Sequence, residues 1–537
     1  MTGKGNQPDR VLVSDQLEDV GMEILRDEGF EVDYVPGMKA EDLRERIGSY
    51  RALVVRSSTR VTSQVIEQGK NLRVIGRAGT GVDNIDVDAA TRKGILVINT
   101  PGGNTVSAAE HTVSMMLSLA RNIPQAHISL TGGNWDRKRF VGMEVLEKSI
   151  GIIGLGQIGR EVAKRCQGLG MFVIGYDPLM QKDAALKLGI ELVSLDELYR
   201  RSDFITVHTP LTSETKGLIN DASIARCRKG VRFLNCARGG IIDESALLRG
   251  LQSGQVGGAA LDVFEKEPPD RTPLFEHAKV IVTPHLGAST EEAQEKVAAQ
   301  VARQIADALK ERAYAGVVNA SILHLTIQEE VRPFLRLSEK MGSLAAQLLE
   351  GKVSSITVSA EGKMVSSAID LLKAGVLRGM LPHFLPDPVN IINAPFLAKE
   401  MGIAVREQRR EDGRELLNSL ALFVETDRGR VDLVGTVFGA ASIRLVKIDR
   451  FRVEVNPEGY LLIYKNVDKP GFLARVGSIL AASNVNIGGI SLGRTGAGEM
   501  ALTVMNVDDF ISLPLLQELA RLEGVSELKF ADLGGIL

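Results

Sequence analysis

Three residues of types that enzymes use in catalysis lie at or just beyond predicted strand ends in the middle of this chain. They are Arg238 in NCARGGIIDE, Glu267 in DVFEKEPP and His285 in VTPHLGAST. An imidazole can take the proton of a secondary alcohol near neutral pH, a carboxylate can hold that imidazole, and a guanidinium can grip a substrate carboxylate. Because open α/β sheets bind ligands beyond the carboxyl ends of their strands, the three residues predict a proton-transfer site with His285 as general base.

Each of these residues also has an ordinary structural explanation when it is taken alone. His285 could be a satisfied structural group, Arg238 a partner in a surface ion pair, and Glu267 a solvated loop charge. Cys236, two residues before Arg238, could form a catalytic thiolate, but no motif supports that chemistry, so we interpret it as a packing or cofactor contact. A nucleotide-binding pattern upstream of all three residues favours the catalytic interpretation.

That pattern lies in SIGIIGLGQIGREVAKRCQGLGMFVIGYDP, which begins at Ser149 and holds Gly154, Gly156 and Gly159 in the order GxGxxG. An apolar strand precedes the glycines, a helix follows, and a second strand ends at Asp177, so the segment predicts a complete βαβ unit for a dinucleotide. The alternative is a glycine turn with an ordinary helix cap. Asp177 can accept hydrogen bonds from both ribose hydroxyls, whereas a 2′-phosphate near it would meet repulsion on the order of 4 kcal/mol. The pattern therefore predicts NAD rather than NADP.

Two arginines at strand ends in the first hundred residues offer a site for an anion. Arg56 in VVRSSTRV and Arg77 in VIGRAGTGVDNID could meet an anionic substrate across a cleft. The backbone amides of residues 78–81 could form an anion nest beside them. Solvated surface arginines are the alternative.

Alternating strands and helices must position these residues. Short β-branched runs such as RVLVSD and RALVVRSS alternate with helix-like segments in the first hundred residues, and from Ser149 the alternation restarts with six candidate strands. The pattern predicts two α/β domains with parallel sheets in the first 320 residues. The helix-forming segment 290–312 is expected to carry the chain back to the first domain. The last eighty or so residues show the order βαββαβ.

Composition excludes several functional classes. Lys and Arg total 64 against 67 Asp and Glu, a net charge of −3, which favours neither nucleic acid nor an anionic membrane as a partner. Three cysteines are too few for a disulfide scaffold, and we expect no metal. The start resembles neither a signal peptide nor a transit peptide, and no uncharged apolar run could cross a bilayer, so we expect a cytoplasmic protein.

Six motifs occur in one order: GRAGTGVDNID, NTPGGNTVSAAEHT, GIIGLGQIGREVA, NCARGGIIDESAL, ALDVFEKEPP and TPHLGAST. On these motifs, residues 10–315 closely resemble the D-2-hydroxyacid dehydrogenase family. VNIINAPFLAKEMGI and LVGTVFGA look like the intervening domain of its long-form members, and KNVDKPGFLARVGSILAASNVNIGGISLGR looks like an ACT domain.

The resemblance implies an α/β fold of four domains. A Rossmann-type, doubly wound NAD domain (106–286) is expected to be inserted in a flavodoxin-like α/β substrate domain (1–105 and 287–318). An α+β intervening domain (319–455) and a C-terminal βαββαβ ACT domain (456–537) are expected to follow.

The matching long-form members oxidise 3-phospho-D-glycerate to 3-phosphohydroxypyruvate with NAD and so open the phosphorylated route to L-serine. The resemblance implies that reaction here, with Arg238 on the substrate, Glu267 supporting the base and His285 as the base. It also places Arg56, Arg77 and Gly79 at the substrate. The implied cofactor contacts are Thr80, Gly154, Gly156, Gln157, Ile158, Gly159, Asp177, Thr209, Cys236, Ala237, Asp262, Gly287 and Ala288.

ACT domains bind amino acids between paired copies, so the resemblance implies a homo-oligomer, a dimer or a tetramer. Matching positions implicate Asn466, Asp468 and Asn486 in binding L-serine as an inhibitor, although Asn466 stands where some relatives have His or Tyr. Two alternative functions stay open: another NAD-dependent D-2-hydroxyacid dehydrogenase of the glycerate or glyoxylate type, and a non-catalytic NAD-sensing binding protein.

Overall fold

Four β-sheets follow one another along the residues that the structure describes, which are 8–320, 329–411, 417–496 and 498–534. In this computed structural model the first two sheets are fully parallel, the third is mixed and the fourth is antiparallel. Helices connect the parallel strands, as the alternating pattern predicts. The predicted fold class is therefore confirmed.

The first sheet has five parallel strands in the order β2-β1-β3-β4-β5, which is the flavodoxin-like order. Its strands are β1 (Arg10–Val13), β2 (Glu31–Tyr34), β3 (Ala52–Val55), β4 (Val74–Arg77) and β5 (Leu96–Asn99). Its helices are α1 (Asp19–Asp27), α2 (Ala40–Arg46), α3 (Ser63–Gln68) and α4 (Val87–Arg92). β3 is buried along its whole length, so the sheet lies between helices rather than at the surface.

The second sheet has seven parallel strands in the order β12-β11-β10-β9-β6-β7-β8. Its strands are β6 (Ser149–Ile153), β7 (Phe172–Tyr176), β8 (Glu191–Leu192), β9 (Phe204–Val207), β10 (Val231–Asn235), β11 (Val256–Leu261) and β12 (Val280–Val282). Its helices are α5 (Thr105–Arg121), α6 (Ile123–Thr131), α7 (Gln157–Gly168), α8 (Lys182–Lys187), α9 (Leu195–Arg201), α10 (Asp221–Arg226), α11 (Glu244–Gln252) and α12 (Pro273–Glu276). The strand order reverses at β6, the topological switch point at which Rossmann folds bind dinucleotides.

The sequence predicts six strands for this sheet, and that number is wrong. The extra strand, β8, has only two residues, one exposed and one partly buried. A two-residue edge strand has no alternation of apolar and polar residues, so periodicity cannot reveal it.

Helix α13 (Glu291–Leu309) leaves the second sheet and packs on the first, as predicted for the segment 290–312. It begins after Thr290, whose hydroxyl accepts a hydrogen bond from the Ala293 amide at 3.3 Å. Val301 and Ile305 pack on β4 so closely that a Cβ added at Gly76 would lie 2.5 Å from Ile305 Cδ1. The NAD-type domain is thus an insertion, while the residue boundaries of the four domains stay predictions.

The third sheet runs in the order β14-β13-β15-β16-β17-β18, with β14 parallel to β13 and the other pairs antiparallel. Its strands are β13 (Val353–Glu361), β14 (Ala404–Arg410), β15 (Ser419–Thr426), β16 (Arg430–Phe438), β17 (Ser442–Ile448) and β18 (Phe451–Val455). Its helices are α14 (Arg332–Leu348), α15 (Lys363–Ser367), α16 (Ile369–Met380) and α17 (Ala394–Glu400). The predicted range 319–455 also includes residues 321–328 and 412–416, which lie outside the described residues.

The fourth sheet has the order β20-β21-β19-β22 and the predicted βαββαβ succession. Its elements are β19 (Tyr460–Val467), α18 (Phe472–Ala482), β20 (Ile487–Arg494), β21 (Met500–Val507), α19 (Leu513–Ala520) and β22 (Val525–Asp532). The buried Leu480 and Leu519 bring the two helices onto one face of the sheet. Among the residues described, none of the helices combines the length and apolar character needed to span a membrane.

Candidate active site

His285 and Glu267 form a hydrogen-bonded pair beyond the carboxyl ends of β12 and β11. His285 Nδ1 lies 2.7 Å from Glu267 Oε2, and the Phe264 amide donates to Glu267 Oε1 at 3.1 Å. Burial raises the pKa of Glu267, but the hydrogen bond and charge of His285, with the Phe264 amide, outweigh it and hold the pKa below its ordinary value. An ionised Glu267 fixes the imidazole so that Nε2 faces away from the pair. The His285 side chain is 40% exposed, so Nε2 is accessible to a substrate.

Arg238 follows β10 and crosses to the first domain. Its Nε donates to Asp83 Oδ2 at 2.8 Å, and its Nη1 donates to the Ala237 carbonyl at 2.7 Å. A Cβ added at Gly81 would lie 1.7 Å from Arg238 Nη2, so the glycine leaves room for the guanidinium. With Nε held by Asp83, the Nη edge is the part of the guanidinium that can face a substrate carboxylate.

Arg77 and Arg56 enter the same cleft from the ends of β4 and β3. A Cβ added at Gly79, where φ is +151°, would lie 1.6 Å from Arg77 Nη1. Arg77 Nε is buried and has no hydrogen-bond partner in the part of the chain that the structure describes. Burial, together with the neighbouring charge of Arg238, lowers the pKa of Arg77 to about 10. Among the described residues, Arg56 Nη1 makes only long hydrogen bonds of 3.4 Å, to the Gln16 carbonyl and to Gln294 Oε1.

One pocket between the two N-terminal domains gathers these groups. Its lining includes Arg56, Arg77, Gly79, Thr80, Gly81, Asn104, Arg238, His285, Ala288 and Gln294. Three guanidinium groups around one imidazole suit a small molecule that carries a carboxylate and a second anionic group. The pocket thus assembles the predicted catalytic and substrate residues, with Glu267 behind His285.

The three glycines of the GxGxxG segment have separate roles. A Cβ added at Gly154 would lie 2.6 Å from the His208 carbonyl oxygen, and one at Gly159 would lie 2.0 Å from the Gly154 oxygen. A side chain at either position would clash with these backbone oxygens, so the fold requires glycine at both. A Cβ at Gly156 would meet no described atom within 4 Å, which is the open space that a pyrophosphate needs. Gly156 caps α7 without a side-chain hydrogen bond, so the helix amides face that space.

Asp177 and Thr209 flank this cradle. Asp177 accepts hydrogen bonds from the Leu155 amide through Oδ2 and from the Leu179 amide through Oδ1, each at 2.8 Å. These bonds orient the carboxylate and leave lone pairs for two ribose hydroxyls. Thr209 Oγ1 is buried without a hydrogen-bond partner among the described residues. A buried, unpaired hydroxyl beside an open cradle fits a bound dinucleotide.

Cys236 is buried, and burial raises the pKa of its thiol to about 12. A thiol with that pKa is not ionised at neutral pH, which argues against Cys236 as a thiolate nucleophile. Of the other predicted cofactor residues, Thr80 lines the pocket that holds His285. Thr80 Oγ1 donates to Asn104 Oδ1 at 2.9 Å, Gln157 Oε1 accepts from Thr105, and the Ala237 amide donates to Asn235.

Three further predicted cofactor contacts lie near the His285 loop, and Ile158 lies partly buried on α7. Ala288 lines the pocket and Gly287 is buried. Asp262 is fully buried, and its Oδ2 accepts from the Gly287 amide at 2.8 Å. Direct contact of Asp262 and Gly287 with the cofactor stays a prediction.

The three residues predicted to bind L-serine do not come together within one chain. Asn466 is buried at the end of β19, and Asp468 just beyond it pairs with Arg494 at 3.1 Å. Asn486 precedes β20 and donates to Asp508. The register places Asn466 opposite Ala501, whereas β20 starts opposite Val507, so Asn486 lies about 20 Å away at the other end of the sheet. Within one chain, Asn486 therefore does not share a site with Asn466 and Asp468.

Three family models match consecutive parts of the chain. Residues 113–287 match the NAD-binding domain of D-isomer specific 2-hydroxyacid dehydrogenases, residues 330–449 the intervening domain of D-3-phosphoglycerate dehydrogenase, and residues 460–524 the ACT domain.

Proteins named D-3-phosphoglycerate dehydrogenase are similar over nearly the whole chain. The one from Archaeoglobus fulgidus is 41% identical over 98% of this chain and 100% of its own length. The one from Bacillus subtilis is 39% identical over 98% of this chain and 99% of its own length. The chain belongs to the D-3-phosphoglycerate dehydrogenase family.

Solved structures resemble the N-terminal part of this D-3-phosphoglycerate dehydrogenase family member. A glyoxylate reductase from Paecilomyes thermophila shares 29% identity and a TM-score of 0.54 over 58% of this chain and 98% of its own. The D-lactate dehydrogenase from Aquifex aeolicus, solved with NAD and lactic acid, shares 28% identity and a TM-score of 0.50 over 57% of this chain and 96% of its own. The cofactor of this family member is NAD, and its cradle fits that group.

Sequence reasoning missed Asp83 in the site of this family member, and it placed Gly81 in an anion nest without its contact to Arg238. Asp83 lies inside the quoted motif GVDNID, but its partner Arg238 is 155 positions away, so no local pattern connects them. The importance of Gly81 is equally hidden from local patterns. Its lack of a side chain matters only because the Arg238 guanidinium occupies the space that a side chain would fill. The only available signal was the density of small and acidic residues in GTGVDNID.

Proposed function

We propose that this protein oxidises 3-phospho-D-glycerate to 3-phosphohydroxypyruvate with NAD, the first step of the phosphorylated route to L-serine. The observation that carries the proposal is the 2.7 Å His285–Glu267 pair facing a pocket lined by Arg56, Arg77 and Arg238. An alcohol that carries both a carboxylate and a phosphate matches one imidazole and three guanidinium groups. The relatives named D-3-phosphoglycerate dehydrogenase support the choice of substrate.

In the proposed reaction, Arg238 binds the substrate carboxylate and polarises the oxygen on C2. His285 Nε2 takes the proton of the C2 hydroxyl, and Glu267 stabilises the resulting imidazolium. When NAD is bound, its nicotinamide supplies the acceptor for the hydride that leaves C2. Gly154, Gly156, Gly159, Asp177 and Thr209 would hold that cofactor. The carbon–oxygen double bond forms as the proton and the hydride leave, so the reaction is balanced.

Arg56→Ala tests the phosphate requirement. We expect kcat/KM for 3-phosphoglycerate to fall by roughly 10- to 100-fold, because a charge-assisted hydrogen bond contributes about 1.5–3 kcal/mol. The kcat/KM for unphosphorylated D-glycerate should change less than threefold. Steady-state NADH formation with both substrates measures the difference.

Arg60→Ala is the matched control, since Arg60 is an exposed arginine of the same loop. It should alter neither substrate's kinetics by more than about twofold. Equal losses for both substrates in Arg56→Ala would instead favour a D-2-hydroxyacid dehydrogenase of the glycerate or glyoxylate type. No turnover of either substrate by the unaltered protein would favour an NAD-sensing binding protein.

L-serine regulation and oligomer formation are further parts of the proposal. The ACT match supports an amino-acid effector, and the separation of Asn466 and Asp468 from Asn486 supports a site shared between two copies. We place the enzyme in the cytoplasm, which suits its three free cysteines.

L-serine is expected to inhibit NADH formation, and Asn486→Ala should raise the inhibitory concentration at least tenfold without changing uninhibited turnover. Light scattering of the unaltered protein should give at least a dimer mass. A flat serine titration, or a monomer that responds normally to serine, would contradict the shared site while leaving the proposed catalysis intact.

A further inference from the structure

A buried hydrogen-bond cluster lies directly beneath the loop that carries His285. Its centre is Asp262, whose side chain is fully buried. Oδ1 accepts from Thr283 Oγ1 at 2.6 Å and from the Leu286 amide at 2.7 Å, and Oδ2 accepts from the Gly287 amide at 2.8 Å. Burial raises the pKa of Asp262, but the hydrogen bonds from His111, Thr283 and the Leu286 amide outweigh it and hold the pKa below its ordinary value. The carboxylate therefore fixes two consecutive loop amides.

The backbone of Asp262 holds His285 itself. The His285 amide donates to the Asp262 carbonyl at 2.9 Å. His285 has a φ of +55°, a left-handed conformation that a non-glycine residue adopts only when its surroundings enforce it. Asp262 thus contacts residues 285, 286 and 287 in succession, through its carbonyl and its two carboxylate oxygens.

His111 supplies the remaining polar partner of this cluster from helix α5. Its Nε2 lies 3.2 Å from both Asp262 Oδ1 and Thr283 Oγ1. The Thr283 hydroxyl has one hydrogen, which the 2.6 Å contact directs to Asp262, so Thr283 can only accept from His111. His111 Nε2 therefore carries a hydrogen and donates into the cluster.

We propose that His111 is a positioning residue for His285, acting through Asp262 and Thr283. The proposal rests on the proposed function, in which His285 is the base. Without the His111 donor, Asp262 Oδ1 loses one of its hydrogen-bond partners, and the buried carboxylate can shift away from the Leu286 and Gly287 amides. His285 would then lose its fixed backbone, while the three substrate arginines, on other elements, would keep their places.

The test compares His111→Ala, His111→Gln and the control His277→Ala. Gln can place an amide N–H near the position of imidazole Nε2, whereas Ala cannot. His277 lies in the same domain, and its Nδ1 accepts a 3.3 Å hydrogen bond from the Lys279 amide far from the cluster. Steady-state kinetics give kcat and KM, and hydrogen exchange of the protein without added cofactor reports on the peptide that covers residues 283–288.

We expect His111→Ala to lower kcat by roughly 10- to 100-fold, with KM for 3-phosphoglycerate changed less than threefold. The 283–288 peptide should exchange at least fivefold faster, with other peptides of the domain unchanged. His111→Gln should recover kcat to within about threefold, and His277→Ala should match the unaltered protein.

Two results would overturn the positioning role. One is a fall in kcat with unchanged exchange of the 283–288 peptide, and the other is faster exchange throughout the domain with no rescue by Gln. If the unaltered enzyme turns over D-glycerate but not 3-phosphoglycerate, the proposed substrate is wrong. The same comparison is then made with D-glycerate and still decides the role of His111.

Discussion

His285→Ala is expected to lower kcat by 10²–10⁴-fold, roughly the contribution of a general base that takes a proton in the transition state. The structure offers His285 Nε2 to the pocket because Nδ1 is held 2.7 Å from Glu267. Since the arginines proposed to bind the substrate, Arg56, Arg77 and Arg238, lie at the ends of other strands, KM for 3-phosphoglycerate should change less than fivefold. Pre-steady-state and steady-state NADH formation together separate the loss in chemistry from any change in product release.

Two further variants serve as comparisons for His285→Ala. Glu267→Gln keeps a hydrogen-bond acceptor beside Nδ1 but removes the charge that stabilises the imidazolium, so we expect a smaller loss than for His285→Ala. His277→Ala, a histidine of the same domain outside the pocket, should leave kcat within about twofold. Near-normal turnover in His285→Ala would exclude His285 as the base.

The pKa of Glu267 affects how kcat/KM depends on pH. Because this pKa lies below its ordinary value, the carboxylate stays ionised through mildly acidic pH. Protonation of Glu267 should therefore lower kcat/KM only below about pH 4, the ordinary range of a glutamate carboxyl. A pH series of kcat/KM measures this loss, and in Glu267→Gln it should be absent.

Local patterns were sufficient for much of the fold. The βαβ unit around Gly154, Gly156 and Gly159 is predictable because strand, turn and helix are consecutive, and each glycine has a role within that unit. The return of α13 to the first domain was also predictable from the strong helix propensity of the segment 290–312. By contrast, β14 (Ala404–Arg410) of the third sheet gave no prediction, because it carries charged residues and lies mostly exposed at an edge.

The site was predictable in its residue types and not in its contacts. Arg238, Glu267 and His285 could be proposed from strand ends, since parallel strands bring such ends to one edge of a sheet. Asp83 could not, because its importance depends on domains that meet across the cleft. His111 lies in the middle of a helix, where an isolated histidine is usually structural, and only the 3.2 Å distances to Asp262 and Thr283 distinguish it.

Arg238→Gln is expected to lower kcat/KM for 3-phosphoglycerate by about 10²–10³-fold, the usual cost of removing a donor from a developing oxyanion or bound carboxylate. We expect kcat to fall and KM to rise, because the guanidinium would both polarise the oxygen on C2 and bind the substrate carboxylate. Arg249→Gln is the control: Arg249 forms an exposed pair with Asp221 in the same domain, and such pairs contribute little.

The same variant exposes the role of Asp83. Without the guanidinium, the Asp83 carboxylate would face the substrate carboxylate at about 6 Å, and at an effective dielectric of about 40 the repulsion would be about 1.4 kcal/mol. Asp83→Asn in the Arg238→Gln background should therefore recover roughly tenfold in kcat/KM. In the unaltered background, Asp83→Asn should lower kcat/KM, since Arg238 Nε then loses its 2.8 Å anionic partner. Opposite signs in the two backgrounds would show that Asp83 acts through Arg238, whereas equal losses would contradict that coupling.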